Sequence, residues 1–317
     1  MEYMSPSSGL WSGRKRAAIR VRAKIMDSAR SWFKIHDYVE VQGPIIIPAL
    51  GDRPSSFKIR YFGEDAYLTQ GSQPYADTLT RNLGKVYMIA PVFRAEKMST
   101  GRHLAEYWRI EAAVPSCSLE DLIQTEEQLV CHISNCLSKD AKEELNLLGR
   151  SVGDLSKIRP PFTRLTYDEV IEMLRDAGYD IQWGATLQWE HEEYLSLQFS
   201  QLFFISEFPV GLETYFYESH PDKAGSTLSV DLLAPEGYGE ISTGGIPIGK
   251  IGELQRMMEE VGVSPAEQEW YARLRKMGHT PSAGFALGVE RITQWICGLE
   301  DIREASAFPR SINEIYP

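Results

Sequence analysis

Val86-Tyr-Met-Ile-Ala-Pro-Val-Phe-Arg-Ala-Glu-Lys-Met-Ser-Thr-Gly-Arg-His-Leu-Ala-Glu-Tyr-Trp-Arg-Ile-Glu-Ala-Ala-Val114 decides how this 317-residue chain is read. Val86 to Phe93 is a nearly continuous apolar run, the pattern of a strand covered on both faces. From Glu106 the residues alternate. Trp108, Ile110, Ala112 and Val114 point one way, and Tyr107, Arg109 and Glu111 the other. Between the two runs lie Arg94, Glu96, Lys97, Arg102 and His103, with Gly101 permitting a tight bend. Cations at the mouth of an apolar hairpin suit a polyanion such as a triphosphate, because the planar fork of Arg grips phosphate oxygens two at a time. A solvated hairpin tip with surface charges accounts for the same stretch.

Outward from this hairpin, Ala18, Val21, Ile25, Ala29, Trp32 and Phe33 recur at helical spacing within 14–35. Tyr38-Val-Glu-Val-Gln reads as a strand that Pro44 stops. Residues 57–70 form a predicted hairpin turning near Gly63-Glu64-Asp65, followed by a short helix from Gly71-Ser-Gln-Pro-Tyr75. Ser118 to Asp121 and Thr166 to Glu169 are capping-box starts for helices over 119–137 and 166–176. Residues 138–160 read as polar and irregular, and 179–200 resist assignment. His191 among carboxylates there suits a solvated turn better than a metal site. Leu202–Val210 and Thr214–Tyr217 read as one hairpin, and 228–233 as a strand. Helices are predicted over 249–261, closed by Gly262, and over 264–277 and 289–298.

Composition narrows the class. Hydrophobic residues make up 43% and charged residues 24%, ordinary for a globular protein, and the net charge of −11 opposes generic nucleic-acid binding. The four cysteines show no CxxC spacing, which argues against zinc and a disulfide framework and fits a reducing cytoplasm. No signal-like segment or membrane-spanning run is present, so a cytoplasmic location is expected.

Phe93-Arg94-Ala95-Glu96 with Arg102-His103-Leu104-Ala105-Glu106 resembles motif 2 of class II aminoacyl-tRNA synthetases, in the asparaginyl/aspartyl branch. Gly284-Phe-Ala-Leu-Gly-Val-Glu-Arg291 resembles motif 3, and Tyr38-Val-Glu-Val-Gln-Gly-Pro44 the end of motif 1, the dimerisation element. Three motifs in order across about 250 residues form a specific signal, and the resemblance covers roughly residues 18–317. It implies an α+β fold with an antiparallel sheet flanked by helices, a single catalytic domain with a helical insertion at about 116–200, and a homodimer through motif 1.

The resemblance also implies a chemistry: attack of a carboxylate on the α-phosphate of ATP, giving an acyl-adenylate and pyrophosphate. Arg94 would sit on the α-phosphate and the amino acid carboxylate. Arg102, His103 and Arg291 would hold the β- and γ-phosphates, making Arg94 and Arg291 the catalytic pair. Glu96 would accept from the adenine amino group, Tyr107 would stack on adenine, and Gly288 would line the nucleotide site. Asp231 and Glu240 match the family's magnesium-holding carboxylates, and Ser72 and Gln73 match its amino-acid-binding positions. A turn carboxylate at Glu240 and a strand-end cap at Asp231 are the plain alternatives.

The sequence departs from the family at the amino-acid end. The family's side-chain-gripping Arg, seven residues beyond the metal-binding Glu, is Pro247, and the aspartyl enzymes' Lys is Ala76. A Ser expected before Ser72 is Gly71, the mobile Glu-Gly-Gly loop is Gly51-Asp-Arg53, and Pro-His-Gly-Gly has become Pro281-Ser282-Ala283-Gly284. A motif-3 glycine is Ala286. Motif 1 begins almost at the N-terminus, where the family carries an OB-fold that reads the anticodon. The expectation is therefore a free-standing core like the asparagine synthetase-related paralogues. It would activate an amino-acid-like carboxylate with ATP and magnesium, and transfer it to a small amine. A tRNA ligase without an anticodon module and a silent ATP- or amino-acid-binding paralogue are the alternatives, with tRNA a possible but not favoured partner.

Overall fold

The computed structural model describes residues 12–48, 55–98, 100–212, 217–260, 265–278 and 280–316. Residues 1–11, the 51–53 loop, residues 213–216 of the expected second hairpin and Gly262 lie outside the described residues. Helix α1 (Gly13–Ile35) starts where the Ser12 hydroxyl accepts the Lys15 N–H at 3.1 Å, and it buries the predicted stripe from Ala18 to Phe33. Short strands β1 (Val39–Glu40) and β2 (Ile46–Ile47) follow. The hairpin β3 (Lys58–Tyr61) and β4 (Glu64–Leu68) turns on Phe62 and Gly63, both at positive φ (48° and 97°). That is a two-residue turn one position earlier than expected, because a pair of left-handed residues matches the strand twist. Helix α2 (Gln73–Leu83) carries Pro74 in its first turn and ends at Gly84, φ 74°.

The deciding hairpin is β5 (Val86–Phe93) and β6 (Glu106–Pro115), paired from Val86↔Ala113 to Phe93↔Glu106. Helix α3 (Leu119–Asp140) has both bonds of its capping box, as does α6 (Tyr167–Asp176). Between them the 138–160 stretch read as irregular holds α4 (Lys142–Leu148) and α5 (Val152–Leu155), and β7 (Thr163–Thr166) follows it. The unassigned 179–200 contains α7 (Trp189–Leu197), at whose start His191 Nδ1 accepts the Gln188 N–H at 3.0 Å, so this histidine caps a helix. The rest is β8 (Phe203–Ser206), β9 (Ser229–Ala234), β10 (Gly239–Gly245), α8 (Ile251–Glu260), α9 (Pro265–Gly278), β11 (Ser282–Gly288) and α10 (Val289–Cys297).

Eight strands form one sheet in the order β1-β5-β6-β11-β10-β9-β8-β7, antiparallel except for the parallel outer pairs β1-β5 and β7-β8. A second sheet, β2-β4-β3, lies beside it. Trp108, Ile110 and Ala112 of β6 pack with Phe285 and Leu287 of β11 and with α1, α3 and α10 in the main core. Burying those side chains contributes roughly 1.5–3 kcal/mol each. Helices α3 and α4 belong to this core through Leu129, Ile133 and Leu145, although they fall inside the 116–200 stretch read as an insertion. The separate cluster is built by α6, α7 and β8, with Tyr167, Leu174, Leu195 and Phe203 at its centre. Among the described residues no helix is long and apolar enough to cross a membrane, and all four cysteines are free.

Candidate active site

The polar side chains of β6 project into a cleft of about 610 Å³ floored by β6, β11 and β10. Tyr107, Arg109 and Glu111 line it, as the alternation predicts. Across from them β11 places small residues: Ala286 pairs with Glu111 and Gly288 with Arg109. These keep the floor low. At Gly284 a Cβ would lie 1.9 Å from Gln73 Nε2, so that close approach requires glycine.

At one end the motif-2 and motif-3 cations converge. Arg94 pairs with Glu96 at 3.1 Å, and His103 Nε2 lies 3.9 Å from the same carboxylate. Arg291 donates weakly to the Glu240 carbonyl at 3.4 Å. Arg102 pairs with Glu192 at 2.8 Å. The cations crowd one another. Burial first, then Arg102, lowers the pKa of Arg291; burial first, then Arg291, lowers that of His103, which is therefore neutral at pH 7. The pKa of Arg94 is raised, by the Tyr107 hydroxyl first and also by Glu96 and Glu240. Nε of Arg94, and Nε and Nη1 of Arg102, are buried without an acceptor. Orphaned buried donors are costly, and a polyanion entering here would satisfy them.

Beside the cations, Glu240, Asp231 and Glu192 line a small cavity of about 10 Å³, room for one water-sized particle. Glu240 also faces the main cleft. Its pKa is raised by burial first and then by Glu192. Glu192 Oε2 accepts the Glu240 N–H at 3.0 Å as well as the Arg102 guanidinium. The Arg102–Glu192 pair occupies the space where a Cβ of residue 239 would be, 2.6 Å from both partners, and Gly239 has φ 65°. Glycine is required there twice over. The described residues hold no ready-made cage of three metal-binding side chains. Two hard carboxylate side chains lining one cavity are nonetheless the donor type that magnesium takes, so Asp231 and Glu240 fit that ion.

At the other end, Gln73 reaches the cleft and donates to Asp77 at 3.0 Å, while Asp77 also accepts from Ser282 at 3.2 Å. Ser72, expected to hold the amino acid, does not line the cleft. It is 2% exposed, its hydroxyl lies against Gly43, and its backbone N–H donates to Glu111 at 2.7 Å. Gly43 draws that hydroxyl inward because a Cβ there would fall 2.8 Å from it. Pro247 lines the cleft where the family's arginine was missed, bridged to Tyr217, whose ring covers Gly245.

Sequence reasoning left four site residues without a role: Glu192, Gly239, Arg109 and Glu111. The β6 alternation already placed the last two on the face of Tyr107. For Glu192 no local signal existed, since the hydrophobic and polar residues of α7 show no sidedness.

A family description, tRNA synthetases class II (D, K and N), matches residues 9–312. The asparagine–tRNA ligase of Pelotomaculum thermopropionicum is 37% identical over 320 residues, covering all of this chain and 74% of that protein. That of Thermoplasma acidophilum is 34% identical over 319 residues, with the same coverage. Among solved structures, asparaginyl-tRNA synthetase from Pyrococcus horikoshii complexed with asparaginyl-adenylate superposes with a TM-score of 0.92 at 34% identity, covering 96% of this chain and 70% of that one. The synthetase of Entamoeba histolytica, also with asparaginyl-adenylate, gives 0.86 at 32%, over 96% and 69%. With the cation-lined cleft on an antiparallel sheet, these matches establish that the chain belongs to the class II tRNA synthetases of the D, K and N group, ATP-dependent ligases that use magnesium.

Proposed function

We propose that the protein activates an amino acid with ATP as an aminoacyl-adenylate and transfers the acyl group to the 3′ end of a tRNA. The convergence of Arg94, Arg102, His103 and Arg291 on one end of the cleft carries the activation half. Full-length similarity to asparagine–tRNA ligases supports the transfer half. Transfer to a small amine, expected from the sequence alone, finds no support among those relatives.

In the activation step an amino acid carboxylate oxygen bonds to the α-phosphorus and pyrophosphate leaves. Little covalent chemistry is asked of the protein. It must align two anions that repel and meet the charge building on phosphorus. Arg94, paired with Glu96 and close to Tyr107 and Glu240, would serve both the α-phosphate and the carboxylate. Arg102 and Arg291 take the outer phosphates, with His103 donating from its ring. Glu96 faces the adenine amino group, and the Tyr107 ring and Gly288 line the base. Asp231 and Glu240 would hold magnesium, which neutralises phosphate charge when bound. Gln73 and Glu111 take the polar groups of the amino acid backbone, and Ser72 positions Glu111 through its N–H.

ATP–pyrophosphate exchange across a panel of amino acids, followed by tRNA charging, tests the reading. Exchange with one amino acid and charging of tRNA is the expected result. Exchange without charging would remove the tRNA half, and absence of exchange would remove both. The homodimer belongs to the same reading: Ile35, Val39, Ile45 and Ile46 are exposed around the short edge strand β1. Light scattering should give twice the chain mass of 35.9 kDa.

A further inference from the structure

Of the arginines that line the cleft, Arg109 is the one the nucleotide reading leaves without a task. It sits beside Gly71, in register with Gly288 and two residues from Glu111 on the same face of β6. Its guanidinium lies over the Tyr107 ring, 5.4 Å from the centroid, and donates to the Tyr107 hydroxyl at 3.1 Å and weakly to the Gln70 carbonyl at 3.4 Å. Two of its five N–H donors are thus engaged, and no carboxylate pairs with it within 4 Å among the described residues. Beside it Glu111 is 2% exposed and its Oε1 has no partner. Both groups converge on Gly71. A Cβ there would lie 3.3 Å from Glu111 Oε1 and 3.5 Å from Arg109 Nη1. The glycine therefore leaves open the space into which donor and acceptor both point.

We infer that Arg109, made accessible by Gly71, is the specificity-determining cation of the amino-acid pocket. It takes a substrate side chain that ends in a carbonyl oxygen, a carboxylate or a carboxamide. The chain then has a substitute for the cation absent at Pro247, supplied from the middle of the sheet. A serine at position 71 would crowd Glu111 and offer its own hydroxyl to Arg109, so Gly71 and Arg109 act together. An aliphatic side chain would leave the spare donors unpaired against a water-poor wall, which a pocket of this kind rejects strongly. The inference rests on the amino-acid-activating reading above.

The test uses the full chain, as wild type, Arg109→Met and Gly71→Ser. ATP–pyrophosphate exchange is measured with L-aspartate, L-asparagine and L-alanine, and calorimetric binding of the same three is measured without ATP. The wild type should prefer aspartate or asparagine over alanine. Arg109→Met should raise KM for the preferred one about 10- to 100-fold, the loss typical of a hydrogen bond to a charged group, with KM for ATP unchanged. Gly71→Ser, which keeps every charge, should weaken the same substrate. Preference for aspartate identifies a carboxylate, and preference for asparagine a carboxamide. Equal use of alanine, binding of neither polar amino acid, or a matching rise in KM for ATP in Arg109→Met would overturn the inference. If no amino acid supports exchange, the ligase reading fails. The calorimetry still decides here: Arg109-dependent binding of aspartate or asparagine upholds the assignment, and binding indifferent to Arg109 removes it.

Discussion

The two ends of the cleft are built by opposite means. At the phosphate end, cations from motifs 2 and 3 are held by partners that share their charge problem: Glu96 beside Arg94 and His103, and Glu192 beside Arg102. At the other end, Arg109 hydrogen-bonds to a phenol and a carbonyl and has no ion-pair partner among the described residues, and Glu111 keeps an unpaired oxygen. The first end is held by mutual ion pairs before any ligand enters. The second is open, and its wall of Gly71, Pro247, Gly284 and Ala286 differs from the family pattern at three of four positions. A site whose chemistry is constant can carry many mutual contacts, whereas a site that changes its guest is kept sparse.

The largest break in this contrast should come from Arg94→Ala or Arg291→Ala. Each is expected to cost about 10²- to 10³-fold in kcat/KM for exchange, as for losing one preorganised electrostatic contact. Next comes Gly239→Ala, where a new Cβ collides with the Arg102–Glu192 pair at a positive φ. Strain of about 1–3 kcal/mol should lower the melting temperature and raise KM for ATP, leaving KM for the amino acid alone. Glu192→Gln should be milder. The amide still accepts the Glu240 N–H but no longer holds Arg102 by charge, so KM for ATP should move less than about tenfold. If Glu192→Gln changed amino-acid selectivity instead, the two ends would not be separable.

The smallest effect lies behind the sheet. Glu126 of α3 is fully buried beside Ser242, and burial pushes its carboxyl up to about 8. With its folded pKa above the unfolded value, the stabilisation is complete below the ordinary carboxylate range. It is lost as pH rises through about 8. Glu126→Gln removes that titration, so its melting temperature should fall less than the wild type's between pH 5 and pH 8. Parallel curves would place the ionisation elsewhere.

The hairpin at 86–114 was legible because strand alternation and charge clustering are local properties. They put Tyr107, Arg109 and Glu111 on one face before any tertiary contact is known. Capping boxes at Ser118 and Thr166 were legible for the same reason, being set by four consecutive residues. Helices α4 and α5 were not, since they are short and anchored by one or two leucines each, Leu145 and Leu148 in α4 and Leu155 in α5. Ser72 shows the limit of motif matching: the motif singled it out for the amino acid, yet its hydroxyl lies against Gly43 inside the protein and does not line the cleft.

By itself the sequence determined the family, the antiparallel core and which cations belong to motifs 2 and 3, because each motif is read within one short stretch of chain. Only the tertiary structure decided what surrounds Glu192, Gly239, Gly71 and Arg109. Their roles depend on atoms brought together from segments tens of residues apart, and no local periodicity records whether a charge meets a partner or an open space.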